Sequence, residues 1–289
     1  MTFTYEKFTT RNLGFITQSE QDILKNATVF VCGTGGMGGS AILALVRAGI
    51  GNLILADIDT FEISNLNRQV FCFLTTVGKP KQEATLEYCK LINPECNITV
   101  MGAEWTEQAE ATIKQADVVI NATDDLGASL LLYRLARTAG KPVVDSYASP
   151  LPSVFTTKPQ DPMPEERLNY PTASTAWNAL TPLQRSESFS CEMEYVMIHS
   201  SSHKWIDLTL AGEMVAGKRS RMSFAPMVIT AGMLMAYETF GLLLNKPTKT
   251  TYKGWFFIPY TAKVEHPKNP IIAAFLKPIV RRFLKKLTQ

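Results

Sequence analysis

Residues 28–59, TVFVCGTGGMGGSAILALVRAGIGNLILADID, decide the fold. An apolar run, Thr28 to Cys32, meets the glycine pattern Gly33-x-Gly35-Gly36-x-Gly38. A helical pattern from about Met37 to Ala48 follows, then a second apolar run, Asn52 to Ala56. Neither run alternates polar with apolar residues, so both predict strands buried on two faces, as in a parallel sheet covered by helices. Asp57 stands nineteen residues past Gly38, at the end of the second strand. Glycines allow the tight turn and let backbone N–H groups approach a phosphate at the positive end of the helix. A carboxylate at the next strand end can accept hydrogen bonds from ribose hydroxyls.

The same alternation runs outward from this unit. A capping box, Thr17-x-x-Glu20, opens a short helix ending near Asn26. Further strands are expected at Asn97 to Met101, Asp117 to Asn121 and Lys141 to Asp145, with helices at Lys81 to Ile92 and Thr106 to Ala116. From Pro150 to Arg221 the chain becomes rich in proline and serine and reads as an irregular insertion. A buried helix from about Pro226 to Leu244 and a strand from Tyr252 to Ile258 restore the pattern. The fold class is therefore α/β: a Rossmann-like, doubly wound, mainly parallel sheet. One domain over residues 1–265, including the insertion at 150–221, is followed by a tail at 266–289.

A chain of 289 residues, 46% hydrophobic and 19% charged, is long enough to bury its own core. Five cysteines, no C-x-x-C pair and no secretory leader at MTFTYEKF predict a reducing, cytoplasmic setting without structural zinc. Pro267 to Gln289 holds six basic residues and no acidic ones against +3 for the whole chain, so the body is net −3. Counterion release needs a broad basic surface, which argues against nucleic-acid binding. Phe224 to Leu244 has the length of a membrane span, but Glu238 within it favours a buried core helix.

Beyond Asp57 and Asp59 the run SNLNRQ places Asn65, Arg68 and Gln69 on one helical turn, and Lys79 and Lys81 follow Gly78. Hydride transfer needs no such cluster of donors. A triphosphate does, because charge on the transferring phosphoryl group and the departing pyrophosphate must be neutralised. Asp124 lies where the fourth strand ends, at the carboxyl edge of the sheet, and can hold magnesium through one oxygen and waters.

In order and spacing, GTGGMGG (33–39), DID-x4-SNLNRQ (57–69), GKPK (78–81), INP (92–94), NATDD (121–125) and SFAPMVITAGMLMAYE (223–238) resemble the ThiF/MoeB/HesA family and the adenylation domains of ubiquitin-activating enzymes. The resemblance implies binding of ATP and magnesium and transfer of AMP to a carboxylate, typically the C-terminus of a ubiquitin-like or sulfur-carrier protein. It assigns Gly33, Gly35, Gly36, Gly38, Asp57 and Asp59 to the nucleotide, with Asp57 on the ribose. Asn65, Arg68, Gln69 and Lys81 go to the phosphates, and Asp124 to magnesium. Arg11, in TTRNLGF, matches an arginine that reaches into the neighbouring subunit, which implies a homodimer. Alternatives are a small-molecule or precursor-peptide acceptor, an NAD-dependent oxidoreductase, and a non-catalytic half of a heterodimer.

Cys191, in SESFSCEM, resembles a cysteine that accepts the activated acyl group in some relatives, although the neighbouring Glu187, Glu192 and Glu194 disfavour a thiolate. Cys32, Cys72, Cys89 and Cys96 read as core residues. His199 and His203 have the spacing of a metal pair but no third ligand. The tail, Pro270 to Gln289, reads as an amphipathic helix kinked or restarted at Pro278. Its uses are an anionic membrane surface, an acidic partner, or packing on the protein itself.

Overall fold

The computed structural model describes residues 2–147, 149–215 and 218–287. In chain order the helices are α1 (Tyr5–Thr9), α2 (Gln18–Asn26), α3 (Gly36–Arg47), α4 (Lys81–Ile92), α5 (Trp105–Gln115) and α6 (Leu126–Ala139). Then come α7 (Pro164–Arg167), α8 (Pro182–His199), α9 (Leu208–Val215), α10 (Ala225–Leu243) and α11 (Pro270–Leu287). The strands are β1 (Thr28–Cys32), β2 (Asn52–Ala56), β3 (Asn97–Met101), β4 (Val118–Asn121), β5 (Val143–Asp145), β6 (Ser153–Thr157), β7 (Trp255–Ile258) and β8 (Lys263–Glu265). They form a single sheet in the order β3-β2-β1-β4-β5-β6-β7-β8, parallel through β5 and antiparallel from β6 on.

The continuous apolar strands divide their side chains between two cores. Val29, Val31, Leu53, Leu55 and Ile120 face Ile42 and Leu45 of α3, Cys89 of α4 and Met235 of α10. Phe30, Ile54 and Val119 face the other way, onto Ile113 of α5 and Leu132 of α6. Alternate residues of one strand thus pack on opposite helical layers, which is why neither face could be polar. The strand order reverses at β1 and β4, and the crevice at their carboxyl ends is where ligands bind in such sheets.

Among the described residues one helix, Ala225–Leu243, is long and apolar enough to cross a membrane. Here it packs along α3 as a core helix. The contact is close: a Cβ on Gly232 would stand 2.4 Å from the Met37 carbonyl oxygen. Glu238 leaves the apolar surface by accepting hydrogen bonds from Thr248 and Thr250 Oγ1, at 2.7 and 2.5 Å.

Residues 150–221 correct the expectation of an irregular insertion, for they hold β6, α7, α8 and α9. Pro164 and Pro182 open helices, at positions where a missing N–H breaks no intrahelical bond. The capping box of Thr181 and Gln184 then starts an 18-residue helix. The tail is one continuous helix through Pro278, with no restart. Its last two residues lie outside the described residues. It rests on α8 and α9, with Val280 buried and Arg281 and Lys277 held by Glu194 at 2.6 and 3.5 Å. An outer stripe of Ile271, Ile272, Phe275 and Ile279 stays exposed.

Where β5 ends, Asp145 accepts from Tyr133 Oη (2.9 Å), Asn121 Nδ2 (3.1 Å) and the Ser146 amide (2.5 Å). Burial outweighs these donors and pushes its pKa up to about 7. The folded chain therefore holds a proton there that the unfolded chain gives up near pH ~4. Stability from this group is present below that pH and is lost as the pH rises toward about 7. Thermal melts across that window are expected to show a declining midpoint, and Asp145→Asn is expected to flatten the decline; an unchanged slope contradicts the assignment.

Candidate functional site

A cleft of about 1060 Å3 opens at the carboxyl ends of β1, β2 and β4. Its floor is the glycine loop. Gly33 has φ +93°, and a Cβ there would sit 2.4 Å from the Ala122 carbonyl oxygen. A Cβ on Gly38 would lie 1.8 Å from the Gly33 oxygen, so no side chain fits either position. The loop thus lies flat against the end of β4, and Gly35 and Gly36 bring the first turn of α3 into the cleft. No side chain caps that turn. Its N–H groups, at the positive end of the helix, remain available to an anion.

Asp57 ties the loop to β2: its Oδ2 accepts from the Thr34 amide at 2.7 Å and from Thr34 Oγ1 at 3.0 Å. Its Oδ1 accepts from the Asp59 amide at 3.0 Å. Lys81, the first residue of α4, is nearly buried and reaches across to Asp59 Oδ2 at 2.9 Å. Arg68 is anchored by Nη1 to the Ser64 carbonyl and Asn67 Oδ1, both at 2.9 Å. Asn65 Oδ1 accepts the Glu62 amide at 3.1 Å. Gln69 is buried beside Gly35 with its Oε1 unpartnered. All of these residues except Asn67 and Thr34 line the cleft.

The two carboxylates after β4 are sorted by their partners. Asp125 caps α6 through Ala128 N (2.8 Å) and pairs with Arg185 at 2.5 Å. Asp124 is largely exposed to the cleft and has Arg221 3.9 Å away. No group of three or more metal-ligating side chains is present among the described residues. Magnesium held by one carboxylate and a triphosphate needs no such group, so the donor set fits Mg·ATP. The uncapped helix end, Arg68 and Lys81 bring their donors to the same cleft.

Gly33, Gly35, Gly36, Asp57, Asp59, Asn65, Arg68, Gln69, Lys81 and Asp124 converge in one cleft, with Gly38 packed beneath it. Lys79 turns away to Glu87 at 2.9 Å. Arg11 is exposed on the short turn Thr10–Asn12 and does not line the cleft of its own chain. Cys191 is also outside: Phe189, Glu192, Met193, Val196 and Met197 turn the cleft face of α8 inward, and Cys191 lies on the side toward α11. Burial and Glu194 raise its thiol pKa, with Arg281 and Lys277 opposing, whereas a nucleophile needs the reverse. His199 donates no lone pair to a metal: Nδ1 accepts the Lys268 amide at 3.0 Å. Burial lowers its pKa to about 4. Sequence reasoning missed Arg221, which the lining brings beside Asp124; its one signal was a cation just before the SFAPM segment that opens α10.

Residues 9–270 match the ThiF family model. The chain belongs to the ThiF family. Among curated relatives, this ThiF-family chain is 35% identical over 127 residues to the tRNA threonylcarbamoyladenosine dehydratase of Bacillus subtilis, covering 43% of the chain and 50% of that protein. It is 35% identical over 146 residues to the molybdopterin-synthase adenylyltransferase of Salmonella typhimurium, covering 49% and 59%. The matched stretches thus span little more than half the length of these relatives. In fold it resembles E. coli MccB with ATP (TM-score 0.61, 19% identity, 87% of this chain and 67% of that one). It also resembles the E. coli tRNA N6-threonylcarbamoyladenosine dehydratase (TM-score 0.58, 20% identity, 83% and 95%).

Cys191→Ser is expected to leave nucleotide-dependent turnover unchanged. Loss of turnover with an intact fold contradicts the placement of this thiol outside the chemistry.

Proposed function

We propose that this protein is an ATP-dependent adenylyltransferase that activates a carboxylate as an acyl-adenylate, releasing pyrophosphate. The observation that carries the reading is the convergence of Arg68, Lys81, Gln69 and the uncapped end of α3 on a cleft whose glycines leave room for phosphate. The relatives named adenylyltransferases support it. The acceptor we propose is the C-terminal carboxylate of a carrier protein or of a peptide.

One oxygen of the ionised carboxylate attacks the α-phosphorus as the bond to the bridging oxygen of pyrophosphate breaks. The carboxylate is already ionised at neutral pH, so no general base is required. The protein's part is position and charge. Arg68 and Lys81 neutralise the phosphate charge as it shifts to the leaving group, and Lys81 exchanges Asp59 for phosphate as ATP enters. Asp57 holds the loop and offers an acceptor edge to the ribose. Asp124 would hold magnesium, which would supply further charge neutralisation.

We further propose a homodimer with composite sites, in which Arg11 enters the partner's cleft. The segment is firmly held by Asn12, whose amide donates to Gln21 Oε1 and the Ala48 carbonyl at 2.8 and 3.0 Å. Beside it Phe15 is 92% exposed, an apolar side chain that a second copy would cover.

ATP–pyrophosphate exchange tests the chemistry, with host lysate divided by size. Stimulation by the macromolecular fraction is expected, and stimulation by small solutes alone contradicts the carrier acceptor. Lys81→Ala and Arg68→Ala are each expected to cut exchange by about 10²–10³; unchanged exchange removes them from the site. Mixing inactive Arg11→Ala with inactive Lys81→Ala protein is expected to restore about a quarter of wild-type activity, since each mixed dimer rebuilds one intact site. No recovery after subunit exchange contradicts the composite site.

A further inference from the structure

The cleft does not end at the nucleotide half. Beyond Asp124 it continues under α8, past α9 and the approach to α10, and the tail helix closes it with Phe283. This second lobe differs in chemistry from the first. Phe189, Met193 and Met197 lie on one face of α8, Met214 comes from α9, and Trp205 stacks on Tyr260 at 5.0 Å on the rim. From Phe189 onward the described lining carries just two formal charges, Glu192 and Arg221. The first lobe has polar groups for the phosphates, ribose and magnesium and apolar side chains of its own, Ile58, Ala103 and Trp105, for the adenine ring, so the second lobe is surplus to a nucleotide.

Glu192 faces inward with its Oε1 accepting from Tyr170 Oη at 2.7 Å, and burial raises its pKa. Arg221 stands at the junction of the two lobes. Its guanidinium is 3.9 Å from Asp124 on one side and 5.5 Å from the Phe189 ring centre on the other. A cation at that point, between a magnesium ligand and an apolar wall, suits a carboxylate whose remaining atoms are apolar.

We infer that the acid adenylated here carries a bulky apolar group next to its carboxylate, with the carboxylate on Arg221 and the apolar group in the methionine-rich lobe beneath Phe283. This rests on the adenylation reading above. With magnesium held by Asp124, Arg221 would be available to hold the carboxylate. The apolar group displaces water from surface that would otherwise stay wet, which discriminates against an acid ending in glycine. Methionine side chains adapt to the outline of what they hold, so the lobe selects for apolar bulk more than for one shape. Phe283 gives the tail helix a place in substrate binding.

The test is ATP–pyrophosphate exchange by the full-length protein with paired probes. Two peptides identical except for Leu-Phe or Gly-Gly at the C-terminus form one pair; 3-phenylpropionate and acetate form the other. The half-saturating concentration is expected to be at least tenfold lower for the apolar member. Preference within the peptide pair alone identifies a peptide or carrier as the source, and preference within the small-acid pair alone identifies a free acid. Met193→Glu is expected to erase the preference while Mg·ATP still raises the melting temperature, and Phe283→Ala is expected to reduce it should the charged variant fail to fold. Arg221→Ala is expected to raise half-saturation for every acid alike, with partial rescue by Arg221→Lys.

Equal or better use of the glycine-ended and acetate probes, with Mg·ATP still raising the melting temperature, overturns this inference alone. No Mg·ATP stabilisation and no exchange with any probe overturns the adenylation reading, and this inference falls with it.

Discussion

The structure depends on the close approach of the Gly33–Gly38 loop to the end of β4. The Gly33 oxygen occupies the space where a Gly38 side chain would begin, and the Ala122 carbonyl does the same at Gly33. Only backbone can stack this tightly, and the result aims the uncapped first turn of α3 along the sheet edge. The same helix carries the packing surface for α10, so the core and the binding loop share one element. A side chain at either glycine would move both.

Function divides along that edge by the partners each side chain already has. Asp125 is held by the α6 cap and Arg185, and Lys79 by Glu87, whereas Asp124, beside Arg221, and Lys81, paired with Asp59, keep their charges within the cleft. Motif spacing shows that such residues occur together; packing shows which of two neighbours is available. The opposite half of the cleft comes from α8, α9 and α11, outside the parallel core, and meets the first half at Arg221.

The parallel half was legible because its signals are local and strong. Strands at 28–32 and 52–56 are nearly continuous apolar runs, 97–101 is an alternating edge strand, and helices lie between them, so the pattern leaves few alternatives. The candidate site was legible for the same reason: Asp57 and Asp124 follow strand ends, Lys81 starts a helix, and Arg68 lies in the turn between. The segment 150–221 was not, since Pro164 and Pro182 start helices rather than break them, and polar residues interrupt the apolar pattern of α8. Cys191 resembled an acyl-accepting cysteine by its place in the chain, yet the helical phase of α8 turns it toward the tail while Glu192 and Met193 take the cleft face. Arg221 carried no motif at all, because its meaning comes from Asp124 and Phe189, which are near it only in the folded chain.

The central claim is that the glycine loop, Arg68 and Lys81 form a site for a nucleoside triphosphate rather than a dinucleotide. Calorimetric titration of the wild-type protein with Mg·ATP and, separately, with NAD⁺ tests it most directly. The account predicts saturable binding of Mg·ATP at one site per chain and no heat from NAD⁺. Saturable NAD⁺ binding with no response to Mg·ATP would contradict it.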